Sequence, residues 1–354
     1  MAIRVLSPGA TTTVQDRGRS GYQDLGFSPA GVMDWRAAAL VNVLVGNDRA
    51  AAVLEYAISG PTLRFDMPAT VALGGADVAA TLDGRPVPTN QALTVPSGST
   101  LEVGPVRRGQ FGYLAISGGG IGTAPAMGSR STSVRYELGG LEGRTLHESD
   151  ELPLVDERAA AAPLGAMGAR AVFAEDAFYG WDGATSWVRV VPAADERAFT
   201  AASLEAFWDE PFEVTGRSDR MGYRLGGPRL ELTNDAGIIS EGIALGTIQV
   251  PPHGQPIVVL ADHQTTGGYA KIGTVASCDV PRLVQCAPGR PLRFERVTVT
   301  KAQELLRDDV AYLRTLRATI EREAAREAQR GCPDDHAGHS SQAPTTGLGE
   351  EPTR

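Results

Sequence analysis

Turn dipeptides set the rhythm of this chain. Met67-Pro68, Gly74-Gly75, Asp83-Gly84 and Ser97-Gly98 separate apolar segments of strand length at 62–65, 70–73, 78–82, 93–95, 100–103 and 113–117. Glycine weakens a helix through backbone entropy and proline through its missing amide, so neither can be spread through long helices. With 42 glycines and 23 prolines scattered among Val, Leu and Thr, the pattern predicts a mainly β fold and excludes a helical bundle. Asp83-Gly84 predicts a tight hairpin, because primed turns require the positive φ that glycine adopts freely.

Few helices interrupt this pattern. One is predicted over 34–45, where Asp34 caps the free amides, Leu40, Val41 and Leu44 form an apolar face and Gly46-Asn47 ends it. Strands with one inserted helix suggest a closed barrel, giving a first β-barrel domain over 1–165. The stretch 158–170 is rich in Ala, Gly and Pro without strand alternation and reads as a linker. A second barrel domain is predicted over 166–300, with strands near 187–191, 257–260 and 292–299 and a helix near 201–208 capped by Thr200. Pro96 to Val103 and Pro288 to Phe294 share a loose Pro, Gly and Leu cadence, which two related barrels would explain and generic hairpin chemistry would too. Leu306, Val310, Leu313, Leu316 and Ile320 recur at three- and four-residue intervals and predict an amphipathic helix over 301–330. Residues 331–354 hold almost nothing apolar and read as a disordered tail.

Composition narrows the function. A length of 354 residues suits two domains. A net charge of -9 gives no footprint for nucleic acid or an anionic membrane surface, since phosphate binding needs concentrated Lys and Arg. No apolar run approaches a bilayer span. Cys278, Cys286 and Cys332 are an odd, widely spaced set behind a start that lacks a basic-then-apolar leader, and the natural reading is a reducing cytoplasm. Small molecules and proteins remain as partners. Only Lys271 and Lys301 are lysines, every other cation being arginine.

Three polar clusters could carry chemistry. The densest runs Asp262-His263-Gln264-Thr265-Thr266-Gly267-Gly268-Tyr269-Ala270-Lys271, directly after a buried-looking strand. Its glycines admit close backbone approach, its hydroxyls and amide suit an oxygen-rich substrate, and Lys271 supplies a compact charge. A solvated turn would share this composition. In the second, Arg217, Arg220 and Arg224 lie within eight residues beside Ser218 and Asp219. Arginine forks can hold an anionic group, but a hairpin in which Asp219 pairs with Arg217 or Arg220 reads equally well. The third joins Ser240-Glu241-Gly242 to Gln249 and the rigid loop at Pro251-Pro252-His253, where Glu241 could act as a base and His253 reads as a turn residue. Asp16 and Asp34 stand on glycine-rich loops nearer the N-terminus. Gly118-Gly119-Gly120-Ile121-Gly122 lacks the lysine of a phosphate loop and reads as a barrel rim. Cys332, His336 and His339 look metal-like but lack a fourth ligand, so no metal site is predicted.

Seven motifs then occur in order: Thr13-Val14-Gln15-Asp16, Gly31-Val32-Met33-Asp34, Leu54-Glu55 with Gly60-Pro61, Arg217 to Gly222, Ser240 to Ile243, Gln249-Val250-Pro251, and Gln264 to Tyr269. Together, across about residues 2–296, the chain resembles the biotin-dependent carboxyltransferase-like family, which includes allophanate hydrolase subunit 2, the C subunit of 5-oxoprolinase and an antagonist of a histidine-kinase inhibitor. The resemblance implies a pair of cyclophilin-like β-barrels and a partner resembling the other half of the carboxyltransferase module (like the B subunit of 5-oxoprolinase), with a third protein like its A subunit. It implies one component of an ATP-dependent complex that opens the lactam of 5-oxoproline, ATP being used by the complex. The alternatives are a carboxyltransferase component, with biotin carried on another chain, and a non-catalytic kinase-inhibitor antagonist. On this reading Lys271, Gln264 and Glu241 are catalytic, while Arg217, Asp219, Arg220, Thr265, Thr266, Tyr269, Gln249, Asp16 and Asp34 bind substrate. Ala270 departs from the family's Gly-Tyr-Pro-Lys and loosens that loop.

Overall fold

The computed structural model describes residues 3–161, 175–233 and 239–330. It is mainly β, in two units. The first is a nine-stranded half-barrel. Its strands run in the order Thr13–Gln15, Val53–Ala57, Thr100–Ile116, Thr62–Phe65, Ile3–Ser7 and Glu151–Leu152, and Ala69–Leu82 pairs with Arg85–Val87, Ala92–Val95 and Thr100–Ile116. The second closes into a barrel of seven strands: Ser186–Pro192, Ala270–Val275, Thr247–Val250, Ile257–Val259, Gly222–Gly226, Phe212–Val214 and Pro291–Arg296. The last strand closes on the first in parallel.

Two short-strand expectations are corrected. The segments 70–73 and 78–82 form one strand, Ala69–Leu82, and 100–103 joins 113–117 within Thr100–Ile116. Gly74-Gly75 is therefore no hairpin turn but a bend inside a long pair, where the register with the partner strand shifts after Gly75. Gly75 takes φ +81°, and a Cβ there would meet the Phe111 carbonyl and the Tyr113 ring. Asp83 and Gly84 make the predicted hairpin, both with positive φ.

The helices form where their caps and faces dictate. Asp34 Oδ1 accepts from the amides of Arg36 and Ala37 to start Trp35–Leu44, and Gly46 leaves it at φ +75°. Thr200 Oγ1 accepts from the Ser203 amide to start Ala201–Asp209. The C-terminal helix, Val299–Arg330, buries Leu313 and Ile320 against a core shared by helix Trp35–Leu44 and the closed barrel. Arg36 pairs with Asp309 across that contact at 3.2 Å. The predicted linker opens as helix Glu157–Ala161 and then leaves the described residues. The tail at 331–354, with Cys332, His336 and His339, also lies outside them.

Candidate functional site

A buried chain of polar groups ties the two units together. Arg220, on the loop entering Gly222–Gly226, turns inward: its guanidinium pairs with Glu55, bonds Asp262 at 2.9 and 3.2 Å and donates to the Gly31 carbonyl at 2.7 Å. Glu55 also accepts from the Met33 amide at 2.7 Å and the Tyr113 hydroxyl at 2.8 Å. Tyr113 in turn accepts from the Asp34 amide, and Asp34 Oδ2 accepts from Tyr179 and Gln285. Asp34, Glu55 and Tyr113 are all fully buried or nearly so. Desolvation raises the pKa of both carboxyls, against the pull of Arg220 on Glu55 and of the helix amide of Ala37 on Asp34.

Lys271 stands at a second cluster, on the barrel. It faces Gln249 directly across the antiparallel pair Thr247–Val250 and Ala270–Val275, where the register shifts between Ile248 and Gln249. Ile248, Val250, Ala270 and Ile272 enter the core, so alternation puts Gln249 and Lys271 on the opposite face. The two-stranded ribbon of Glu241–Gly242 and Thr266–Gly267 covers that face. There the Lys271 ammonium pairs with Glu241 and lies 3.5 Å from Asp195, with only 13% of its side chain exposed. Gln249 Nε2 is buried without a partner among the described residues. A Cβ on Gly267 would collide with that amide. A methyl at this position would push the amide end of Gln249 aside. The cluster brings an ammonium and a free amide donor to adjacent positions, which is how an oxygen acquiring negative charge is held.

Beside the same ribbon, Gln264, Thr265, Thr266, Gly267, Gly268 and Tyr269 line a recess of about 480 Å³ with Ser240, Tyr136 and Arg135. The loop predicted as one site is therefore split. Its hydroxyls and Gln264 face the recess, whereas Lys271 joins Glu241, Gln249 and Asp195. Arg135 has no carboxylate partner among the described residues, which leaves one cation for an anionic ligand.

Other candidates fall elsewhere. Arg217 is exposed and lines a separate recess with Arg224, His253 and Gln255, well apart in role from the inward Arg220. Asp219 pairs with neither arginine: it accepts from the amides of Met221 and Gly222 and caps its own turn. Asp34 is consumed by helix capping and the buried chain. Asp16 accepts from the Gly18 and Arg130 amides and the Ser129 and Ser131 hydroxyls, a set that fixes a loop. The glycine run packs tightly, since a Cβ on Gly118 would meet the Asp156 carbonyl and the Gly119 amide is held by Asn47. That leaves no cradle there for a phosphate.

A family profile described as carboxyltransferase domain, subdomain A and B, matches residues 25–296. The chain belongs to this family. It is 36% identical over 314 residues to the C subunit of 5-oxoprolinase from Escherichia coli (strain K12), covering 89% of this chain and 97% of that protein. The corresponding 5-oxoprolinase C subunit of Haemophilus influenzae is 33% identical, with 90% and 99% covered. The crystal structure of Kluyveromyces lactis urea carboxylase superposes with a TM-score of 0.78 at 27% identity, over 89% of this chain and 29% of that one. In this carboxyltransferase domain, sequence reasoning missed Asp195, Arg135 and Tyr113 as site residues and took Glu55 only as part of a motif. Nothing local marks them, because each meets its partner only through folding.

Proposed function

We propose that this chain is the C subunit of an ATP-dependent 5-oxoprolinase complex, which hydrolyses the lactam of 5-oxo-L-proline to L-glutamate. The observation that carries the reading is the end-to-end match to relatives of that name: 97% and 99% of their length is covered. In this reading the chain works with a partner like the B subunit, the other half of the module, and with a third protein like the A subunit, in the cytoplasm. Among the described residues no helix is long and apolar enough to cross a membrane. ATP is used by the complex, and the closely packed glycine run of this chain offers no cradle for its phosphates.

The geometry suits a cyclic amide bearing one carboxylate. Arg135 anchors the carboxylate in the recess, with Thr265, Thr266, Tyr269 and Gln264 around the ring. Lys271 and Gln249 do not line that recess: they lie at the ribbon that borders it, where the Lys271 ammonium, held by Glu241, stabilises at a distance the negative charge that gathers on the lactam oxygen. Water supplies the new carboxylate oxygen. The ring nitrogen leaves with a proton as the amine of glutamate, and ATP hydrolysis drives an otherwise unreactive amide. Asp16, Asp34, Asp219 and Arg220 act as positioning residues.

The test is to purify this chain alone and with its two partners and assay ATP-dependent glutamate release from 5-oxoproline. Activity should need all three. The likeness to urea carboxylase favours one second reading, carboxyl transfer from biotin carried on another chain. A reconstituted complex that carboxylates urea and leaves 5-oxoproline untouched would establish that reading and remove the first.

A further inference from the structure

Away from Lys271, helix Trp35–Leu44, the loop at Ala261 and His263, and the C-terminal helix enclose a chamber of about 350 Å³. We propose that this chamber binds a small amphipathic carboxylate, with an apolar body of about eight carbons. Its walls are Met33, Trp35, Leu245, Leu306, Val310 and Leu313. The volume is about twice the ~150 Å³ of an engineered apolar void that takes up benzene, so a medium-length chain fits.

Charge selects the head group. Arg17 and Arg49 both line the chamber, both are exposed, and neither pairs with a carboxylate among the described residues. Asp16 also lines it, but four donors, the Gly18 amide and three groups of the segment 129–131, already satisfy its oxygens. An unmatched pair of guanidinium groups beside an apolar chamber fits a carboxylate with an apolar tail. His263 adds a polar point within the wall: it is buried, its Nδ1 meets the Gln264 carbonyl at 2.6 Å, and Nε2 has no partner among the described residues. Leu306, Val310 and Leu313 come from the helix beyond residues 25–296, so the chamber is completed by a segment outside the family match. The inference therefore stands apart from the Lys271 chemistry.

The experiment is calorimetric titration of the full chain with octanoate, octan-1-ol and acetate. Octanoate should bind saturably with one site, and the alcohol and acetate about tenfold or more weaker, because each lacks one of the two contacts. Arg17→Glu combined with Arg49→Glu should weaken octanoate about tenfold while leaving Tm unchanged, since both side chains are exposed. Val310→Trp should abolish binding by filling the chamber; if it fails to fold, Leu306→Trp takes its place. Absence of octanoate binding, equal binding of octanol, or full affinity in the charge-reversed variant would each overturn the proposal.

Discussion

The guanidinium of Arg220 pairs with the carboxylate of Glu55, 165 residues earlier in the chain, and so joins the closed barrel to the half-barrel. Glu55 is 3% exposed, and removing Arg220 would leave its charge buried without a counterion. Arg220→Ala should therefore destabilise the fold by about 3 kcal/mol, at the low end for a broken buried pair because the Arg220 side chain is 21% exposed. Denaturant unfolding checks this. A loss below about 1 kcal/mol, the range of exposed pairs, would show that the link is dispensable.

Lys271→Ala should lower turnover of the reconstituted complex about 100-fold, the usual consequence of removing one preorganised donor. Lys271→Arg should rescue poorly, because a planar fork does not fill the volume of a compact ammonium held by Glu241 and Asp195. Steady-state rates and the Tm of each variant decide the matter. Normal rates would remove Lys271 from the site, and a large fall in Tm would make its role structural.

Gly267→Ala tests the approach of the ribbon to Gln249. The added methyl must displace the Gln249 amide, so turnover should fall by about tenfold or more if that donor helps hold the reacting oxygen, with a loss of stability of about 1–3 kcal/mol from overpacking. Gln249→Leu, which removes the donor while keeping bulk, should reproduce the rate defect. Wild-type rates in both variants would exclude Gln249 from the chemistry.

Acid should weaken the fold through His263. Burial lowers its pKa below the ordinary 6.5, only partly offset by the Gln264 carbonyl. On acidification the unfolded chain takes up this proton first. The stabilisation is therefore complete above pH 6.5 and lost as pH falls through the lower folded value. Asp34 and Glu55, with raised values, act in the opposite sense, favouring the fold in acid and losing that contribution as pH rises. Unfolding free energies between pH 7.5 and 5.5 should consequently fall more steeply for the wild type than for His263→Gln. Parallel curves would contradict this assignment.

Truncation separates the tail from the helix. Ending the chain after Gln329 should leave complex and activity intact. Ending it after Thr298 should expose the surface that Leu313 and Ile320 cover, a loss of about 3–6 kcal/mol at about 1.5–3 per buried side chain. Thermal melts of both forms provide the check, and equal Tm values would mean the helix adds nothing to the core.

Local physics made the elements legible. Alternation and turn chemistry placed strands such as 62–65 and the Asp83-Gly84 hairpin, and Asp34 and Thr200 marked two helix starts, because caps and primed turns depend on residues within four positions of one another. The motifs pointed to the carboxyltransferase family and to Lys271 and Glu241. Position in sequence could not say where side chains face. Arg217 and Arg220 are three residues apart yet diverge, one outward and one to a buried carboxylate, since Arg220 follows Glu55 from the half-barrel strand Val53–Ala57 and Asp262 from a turn of the barrel. Gly74-Gly75 became a bend inside a strand because a partner was available to pair through it. Asp195 reached Lys271, and Arg135 reached the threonine loop, only when distant segments met. Short-range terms act along the chain and are written in it, whereas ion pairs and cavities depend on which surfaces the closed barrel brings together.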